Sequence, residues 1–135
     1  MKEMTLKPIG VIHSPFEEKS KTPHQGIYTT SESVIEVFKE YKEALDGIEN
    51  VKNIHILYWC DKSERNLLKV IPHGKTQKRG VFSTRAPSRP NPIALSLVEL
   101  IKIDDTKLTV KGLEALDGSL VVDIKPYWKD IDCVD

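Results

Sequence analysis

Two guanidinium groups stand on a stretch of chain that proline has stiffened. In GVFSTRAPSRPNPIALSLVEL, Gly80–Leu100, Arg85 and Arg89 lie among Pro87, Pro90 and Pro92. Each proline fixes φ near −65° and lacks a backbone N–H, so none of the three belongs inside a paired central strand. Ala86, Arg89 and Asn91 each precede a proline and are pushed toward extended backbone. A loop with so few conformations loses little entropy when it meets a ligand. Arginine presents a planar fork of donors that matches carboxylate or phosphate. Asn91 adds an amide that both donates and accepts. These residue types suit the capture of an anionic or polar ligand. They equally suit a structural loop whose arginines cap neighbouring carbonyls.

The charges around this loop are segregated. The chain has 135 residues, with Lys plus Arg and Asp plus Glu balanced at 20 each. Yet no Asp or Glu occurs from Arg65 to Val98, an interval that carries Arg65, Lys69, Lys75, Lys78, Arg79, Arg85, Arg89 and His73. Acidic residues gather in IEVFKEYKEALDGIE and in the tail KDIDCVD. A neutral total excludes a basic whole-chain signature for nucleic acid, but a local basic patch still steers and holds phosphates. Cys60 and Cys133 are not a close-spaced pair and read as free thiols of a reducing, cytoplasmic compartment. His13, His24, His55 and His73 lack zinc-ligand spacing with one another or with the cysteines, so no metal is expected. No apolar run approaches the roughly 20 residues that cross a bilayer, so no membrane partner is expected either.

The elements that must position the loop read mostly as short strands. They are LKPIGVIHS, SVIEVF, NIHILYW, NLLKVIP, RGVFST, IALSLVELIKI, KLTVKGL and LVVDIKPY. DDT and DGS supply turns between some of them. One short helix is expected around YKEALDGI, where Ala44 and Leu45 favour helix and Gly47 can stop it. Strands without βαβ alternation point to an all-β fold, a barrel or rolled sheet, in a single domain over residues 1–135. A G-x-G-x-x-G turn is absent, so a nucleotide-like cofactor would be held by other means.

Three blocks carry a resemblance: IGVIHSPF, GVFSTRAPSRPNPIALSLVEL and LDGSLVVDIKPY. In order and separation they resemble the TsaA-like, or TrmO, family of tRNA methyltransferases, from Ile9 to Tyr127. The resemblance implies a single-sheeted β-barrel that binds S-adenosylmethionine and usually works as a homodimer. It also implies methylation of the exocyclic nitrogen of threonylcarbamoyl-adenosine beside the anticodon of tRNA. Many relatives carry an extra C-terminal domain, and this sequence is expected to be a short form without it.

Residue by residue, the resemblance implies cofactor contacts from His24, Gln25 and Gly26, with His24 in place of an arginine. Asp61 and Lys62 occupy a position that commonly reads His-Gln in the family. Arg85 would contact the cofactor, its guanidinium suited to the methionyl carboxylate. Leu95 would pack on the adenine or the methionyl chain and would also serve the core. Asp117, Gly118, Ser119 and Leu120 match the family's D-G-T-P-V block. Their turn can offer backbone groups to an adenine edge, or can close a hairpin. Arg89 and Asn91 would line the substrate or cofactor wall. Asp123 and Lys125 share one strand face by their spacing. No catalytic base is assigned, and Asp61 and Asp123 are the candidates. Two alternatives stay open beside tRNA methylation: a methyltransferase for a small amide-containing molecule, and a non-catalytic S-adenosylmethionine-binding module.

Overall fold

A computed structural model describes residues 2–17 and 30–135. The described residues form β1 (Gly10–His13), β2 (Glu32–Val37), β3 (Asn53–Trp59), β4 (Lys69–Val70), β5 (Arg79–Gly80), β6 (Ile93–Asp104), β7 (Lys107–Lys111), β8 (Leu120–Pro126) and a single turn of helix, α1 (Lys129–Asp132). Six strands close into a barrel in the order β1-β2-β7-β6-β3-β8, while β4 and β5 pair as a separate ribbon. Every neighbouring pair in the barrel is antiparallel. The all-β barrel expected from the run of short strands is the fold observed.

Alternation makes the wall two-faced. On β3, Ile54, Ile56 and Tyr58 are buried, whereas Asn53, His55, Leu57 and Trp59 between them are only half-buried. Successive strand side chains point to opposite faces, so the first set fills the barrel and the second lies outside. Ile12, Ile35, Val98, Leu108, Val110, Leu113 and Val121 complete the interior. Each such aliphatic side chain contributes roughly 1.5–3 kcal/mol by leaving water. A barrel of this size is filled by its own side chains rather than hollow.

Two strands bend to close the wall. β6 pairs with β3 along its first half and with β7 along its second, with a register shift between Leu100 and Lys102. β8 shifts register against β3 between Leu57 and Tyr58. Such bulges increase local twist and allow a sheet to curl. At Gly10 the backbones of β1 and β2 come so close that a Cβ would stand 2.5 Å from the Glu36 carbonyl oxygen. Only glycine fits there.

Three local expectations differ from the structure. YKEALDGI winds as tight 3₁₀ turns, Lys39–Leu45 and Ile48–Asn50, not as an α-helix. No side chain caps either turn, and Tyr41, Leu45 and Ile48 pack against the core only as part-buried side chains. Gly47, at φ 88°, breaks the winding between them. The one α-helical turn among the described residues lies instead at Lys129–Asp132. The runs NLLKVIP and RGVFST pair over only two residues each, since a turn at Pro72–Lys75 and a 3₁₀ turn at Val81–Ser83 cut them short. Asp117-Gly118 does not close a hairpin, because the preceding and following strands, β7 and β8, are not neighbours in the barrel.

Candidate functional site

β3 gathers the predicted residues. Trp59, its last residue, is the register partner of Ile93 on β6 and of Leu120 on β8. The chain therefore brings three sequence blocks to one end of the barrel. Asp61 and Lys62 follow β3, Asn91 precedes β6, and Ser119 and Leu120 lead into β8. The junction is pinned by the Cys60 N–H, which donates to the Pro92 carbonyl at 2.8 Å. Pro92 is fully buried, so the last proline anchors the loop rather than merely stiffening it.

The proline loop is organised from within by Arg89. Its Nη1 donates to the carbonyls of Thr84 at 2.9 Å and Ala86 at 3.0 Å, the residues on either side of Arg85. Thr84 Oγ1 donates to the Val81 carbonyl at 2.8 Å and accepts from the Ala86 N–H at 3.2 Å. Arg89 thus caps carbonyls and sets the curvature that presents Arg85. Arg85 is exposed and makes no hydrogen bond or ion pair with the described residues. The two arginines of the opening motif have different work: one shapes the loop, and the other is left available for a ligand.

The DGSL turn is fastened to the far end of β1. The Ser14 N–H donates to Asp117 Oδ1 at 3.0 Å, and the Asp117 N–H donates to the Phe16 carbonyl at 2.7 Å. The Gly118 N–H donates to the Ile12 carbonyl at 2.8 Å, with Gly118 at φ 86°. Ser119 Oγ donates back to the Leu116 carbonyl at 2.7 Å. The glycine supplies a left-handed backbone that other residues adopt at a cost. This explains the block's chemistry without a hairpin: it is a clasp between β1 and β8 at the same barrel end.

Leu95 does not belong to the core. It lies on the outer face, 40 % exposed, while its neighbours Ala94 and Ser96 turn inward. Leu57 pairs with Leu95 on one side and with Asp123 on the other, and Leu97 and Leu120 are also outward and exposed. The outer face of β6-β3-β8 is therefore an apolar shelf below the loops. Asp123 and Lys125 share that face as their spacing predicts, and they pair with each other at 3.1 Å. Asp123 Oδ1 also accepts from the Ile124 N–H at 2.9 Å. Asp61, by contrast, is exposed with no hydrogen bond or ion pair to the described residues. His24, Gln25 and Gly26 lie outside the described residues.

Two features of this end are not singled out by the sequence. Arg65 Nε donates to the Pro90 carbonyl at 2.8 Å, its Nη2 donates to Asn91 Oδ1 at 3.2 Å, and its guanidinium lies 5.1 Å from the centre of the Trp59 ring. Arg65 is thus a strut between β3 and the proline loop. Its one sequence signal is its place at the start of the acid-free interval. Beneath the mouth, Ser96 Oγ donates to Glu114 Oε1 at 2.6 Å inside the barrel. Burial, then the Glu114 charge and Cys60, pushes the Tyr58 phenol well above its ordinary value. Inward-facing Ser96 and Glu114 are hidden in sequence by apolar neighbours. Among the described residues no His, Cys, Asp and Glu cluster is arranged to hold a metal.

This geometry coincides with a known family. The family model described as the tRNA-methyltransferase O N-terminal domain matches residues 11–133. The chain belongs to that family. A probable S-adenosyl-L-methionine-binding protein of Methanothermobacter thermautotrophicus is 54 % identical, with 96 % of this chain and 94 % of that protein covered. An S-adenosyl-L-methionine-binding protein of Archaeoglobus fulgidus is 51 % identical, with 97 % and 94 % covered. A crystal structure of TrmO superposes with a TM-score of 0.83 at 36 % identity, and one of TrmO from Pseudomonas aeruginosa with 0.80 at 33 %. In both cases 98 % of this chain is covered, but only 61 % and 60 % of the other. The chain therefore spans about three fifths of those family structures. The three blocks that carry the resemblance meet at the one barrel end described above.

Proposed function

We propose that this chain is an S-adenosylmethionine-dependent methyltransferase that methylates the exocyclic nitrogen of threonylcarbamoyl-adenosine in tRNA. The observation that carries the reading is the convergence of Asp61–Lys62, the Arg85–Asn91 loop and the Asp117–Leu120 turn on one end of β3. The residues present suit the cofactor. Leu95 and Leu120 offer exposed apolar surface to an adenine or a methionyl chain, and Arg85 offers an uncommitted fork to a carboxylate. When bound, the cofactor supplies a methyl group activated by a sulfonium. The protein's own share is chiefly alignment, which is where a rigid loop is most effective. Arg89 holds the backbone on both sides of Arg85, and Arg65 ties Asn91 to β3. The target nitrogen is attached to a carbonyl and is a weak nucleophile, so a proton acceptor beside it assists. Asp61 is the carboxylate available for that, since Asp123 is engaged by Lys125 and the Ile124 N–H. The acid-free interval from Arg65 to Val98 supports an RNA substrate. The exposed outward Leu97 supports a homodimer that covers that part of the shelf, and Cys60 and Cys133, which form no disulfide, support a reducing, cytoplasmic compartment.

A second reading has its own observation. The relatives of matching length are named for S-adenosyl-L-methionine binding alone. It favours a small amide-containing substrate or a binding module without catalysis. Transfer of labelled methyl from S-adenosylmethionine to tRNA with and without the threonylcarbamoyl group separates the readings. Label in the modified adenosine alone supports tRNA methylation. Cofactor binding by calorimetry without transfer to either tRNA sinks it in favour of the second reading. With Arg85→Ala, cofactor affinity is expected to fall by roughly ten- to a hundred-fold, the weight of a hydrogen-bonded charge, with an unchanged melting curve. An unaltered affinity removes Arg85 from the site.

A further inference from the structure

The β4-β5 ribbon stands apart from the barrel sheet, and its own residues and their neighbours in sequence are rich in cations. Lys69 pairs in register with Gly80, and Val70 with Arg79. The connection runs over Pro72–Lys75, where Gly74 sits at φ 77° and the Lys75 N–H donates to the Pro72 carbonyl at 3.0 Å. Residues 73–80 are all exposed. The ribbon's base is fixed by Val81, which is 2 % exposed and donates its N–H to the Leu68 carbonyl at 2.9 Å. Lys69, Lys75, Lys78 and Arg79 form no ion pair with the described residues, and the chain supplies no Asp or Glu between Arg65 and Val98 to neutralise them locally. Four unneutralised cations on so short a ribbon are not needed by the fold, since none of their side chains caps or bridges anything among the described residues.

An aromatic ring stands at the ribbon's base. Phe82 is 79 % exposed, and the Arg89 guanidinium lies 6.0 Å from its ring centre. An apolar ring left in water, close in sequence to unneutralised cations, is the pattern that binds single-stranded nucleic acid: cations track phosphates and the ring stacks on an unpaired base. An acidic protein would use the cations but has less use for a flat exposed ring. Phe82 and Arg85 are three residues apart, so their Cα atoms lie at most about 11 Å from one another. A base stacked on Phe82 is therefore within a nucleotide or two of the loop that presents Arg85.

We infer that the β4-β5 ribbon is the RNA-docking arm of the molecule: Lys69, Lys75, Lys78 and Arg79 hold the phosphates of a single-stranded RNA segment, and Phe82 stacks on one of its bases. The assignment rests on the reading that the substrate is RNA, and it names the surface that holds it. The test uses the full chain, a fluorescein-labelled single-stranded RNA, the corresponding blunt RNA duplex and a polyglutamate chain, with anisotropy measured across a salt series. Replacing the four cations together by Gln should flatten the log-affinity against log-salt slope by about 0.7 for each phosphate that is no longer neutralised. Phe82→Ala should weaken single-stranded RNA by roughly five- to a hundred-fold and leave the duplex unchanged. Calorimetric binding of S-adenosylmethionine should be retained in both variants, which shows that they are folded. If the parent protein binds RNA and neither variant alters affinity or slope, the arm assignment falls while an RNA substrate stands. If the parent protein binds no RNA, the RNA reading itself falls. Equal binding of polyglutamate and RNA, or a change in oligomeric mass as the variants' sole effect, also overturns the assignment, in favour of a protein-binding surface.

Discussion

Arg89 and Arg85 illustrate how nearby residues of one type divide labour. Arg89 donates to the carbonyls that flank Arg85, so its removal should loosen the loop without removing a ligand contact. Arg89→Ala is expected to cost cofactor affinity and about 1–2 kcal/mol of stability, because two partly buried carbonyls lose their donor. Urea unfolding and calorimetry measure the two effects. For Arg65→Lys the charge stays but the fork to Pro90 and Asn91 is lost, and roughly 1 kcal/mol is expected to go with it. Full stability in that variant would show that the strut is not formed in solution. Tyr58 gives a pH signature. Its folded-state pKa is raised above the ordinary value of 10.0, chiefly by burial. Its contribution is therefore complete below that value and is lost as pH rises toward the folded one. Stability should decline above about pH 10, and Tyr58→Phe should make the decline shallower. An identical alkaline profile would contradict the buried placement of the phenol.

At the scale of elements, the closed wall depends on places where backbones approach or bend. Gly10→Ala puts a Cβ against the Glu36 carbonyl, and β1 must move away from β2 to admit it. A loss of about 1–3 kcal/mol, of the order of overpacking, is expected in urea unfolding. An unchanged midpoint would mean that β1 is looser than its pairing implies. The strands themselves are legible as short apolar and β-branched runs bounded by turn residues, but which face of NIHILYW turns inward is not, because Leu57 and Trp59 are as apolar as Ile56 and Tyr58. The 3₁₀ winding of Lys39–Leu45 is not legible, because Ala44 and Leu45 favour helix while the missing caps appear only in three dimensions. The Lys42–Asp105 ion pair, at 2.6 Å, ties that winding to the β6-β7 turn, again across a separation that no local pattern reveals.

For the whole molecule, closure of the barrel decides which residues become neighbours. The blocks around Arg85 and Asp117 are readable as motifs, but their meeting at Trp59 follows from β3 lying between β6 and β8, which the order of strands along the chain does not reveal. The same closure carries Leu95 to the outside, against the expectation that it also serves the core. It leaves Asp61 exposed and Asp123 paired, which separates two carboxylates that look alike in sequence. The neutral total charge likewise resolves into a cationic ribbon and acidic regions elsewhere. The most direct test of the account is a nucleoside mass profile of tRNA from cells lacking this protein, before and after purified protein and S-adenosylmethionine are added back. Threonylcarbamoyl-adenosine without its methyl group in the deficient tRNA, converted on addition to a species one methyl heavier, is the predicted result. A profile identical to that of unaltered cells, and unmoved by the added protein, would contradict it.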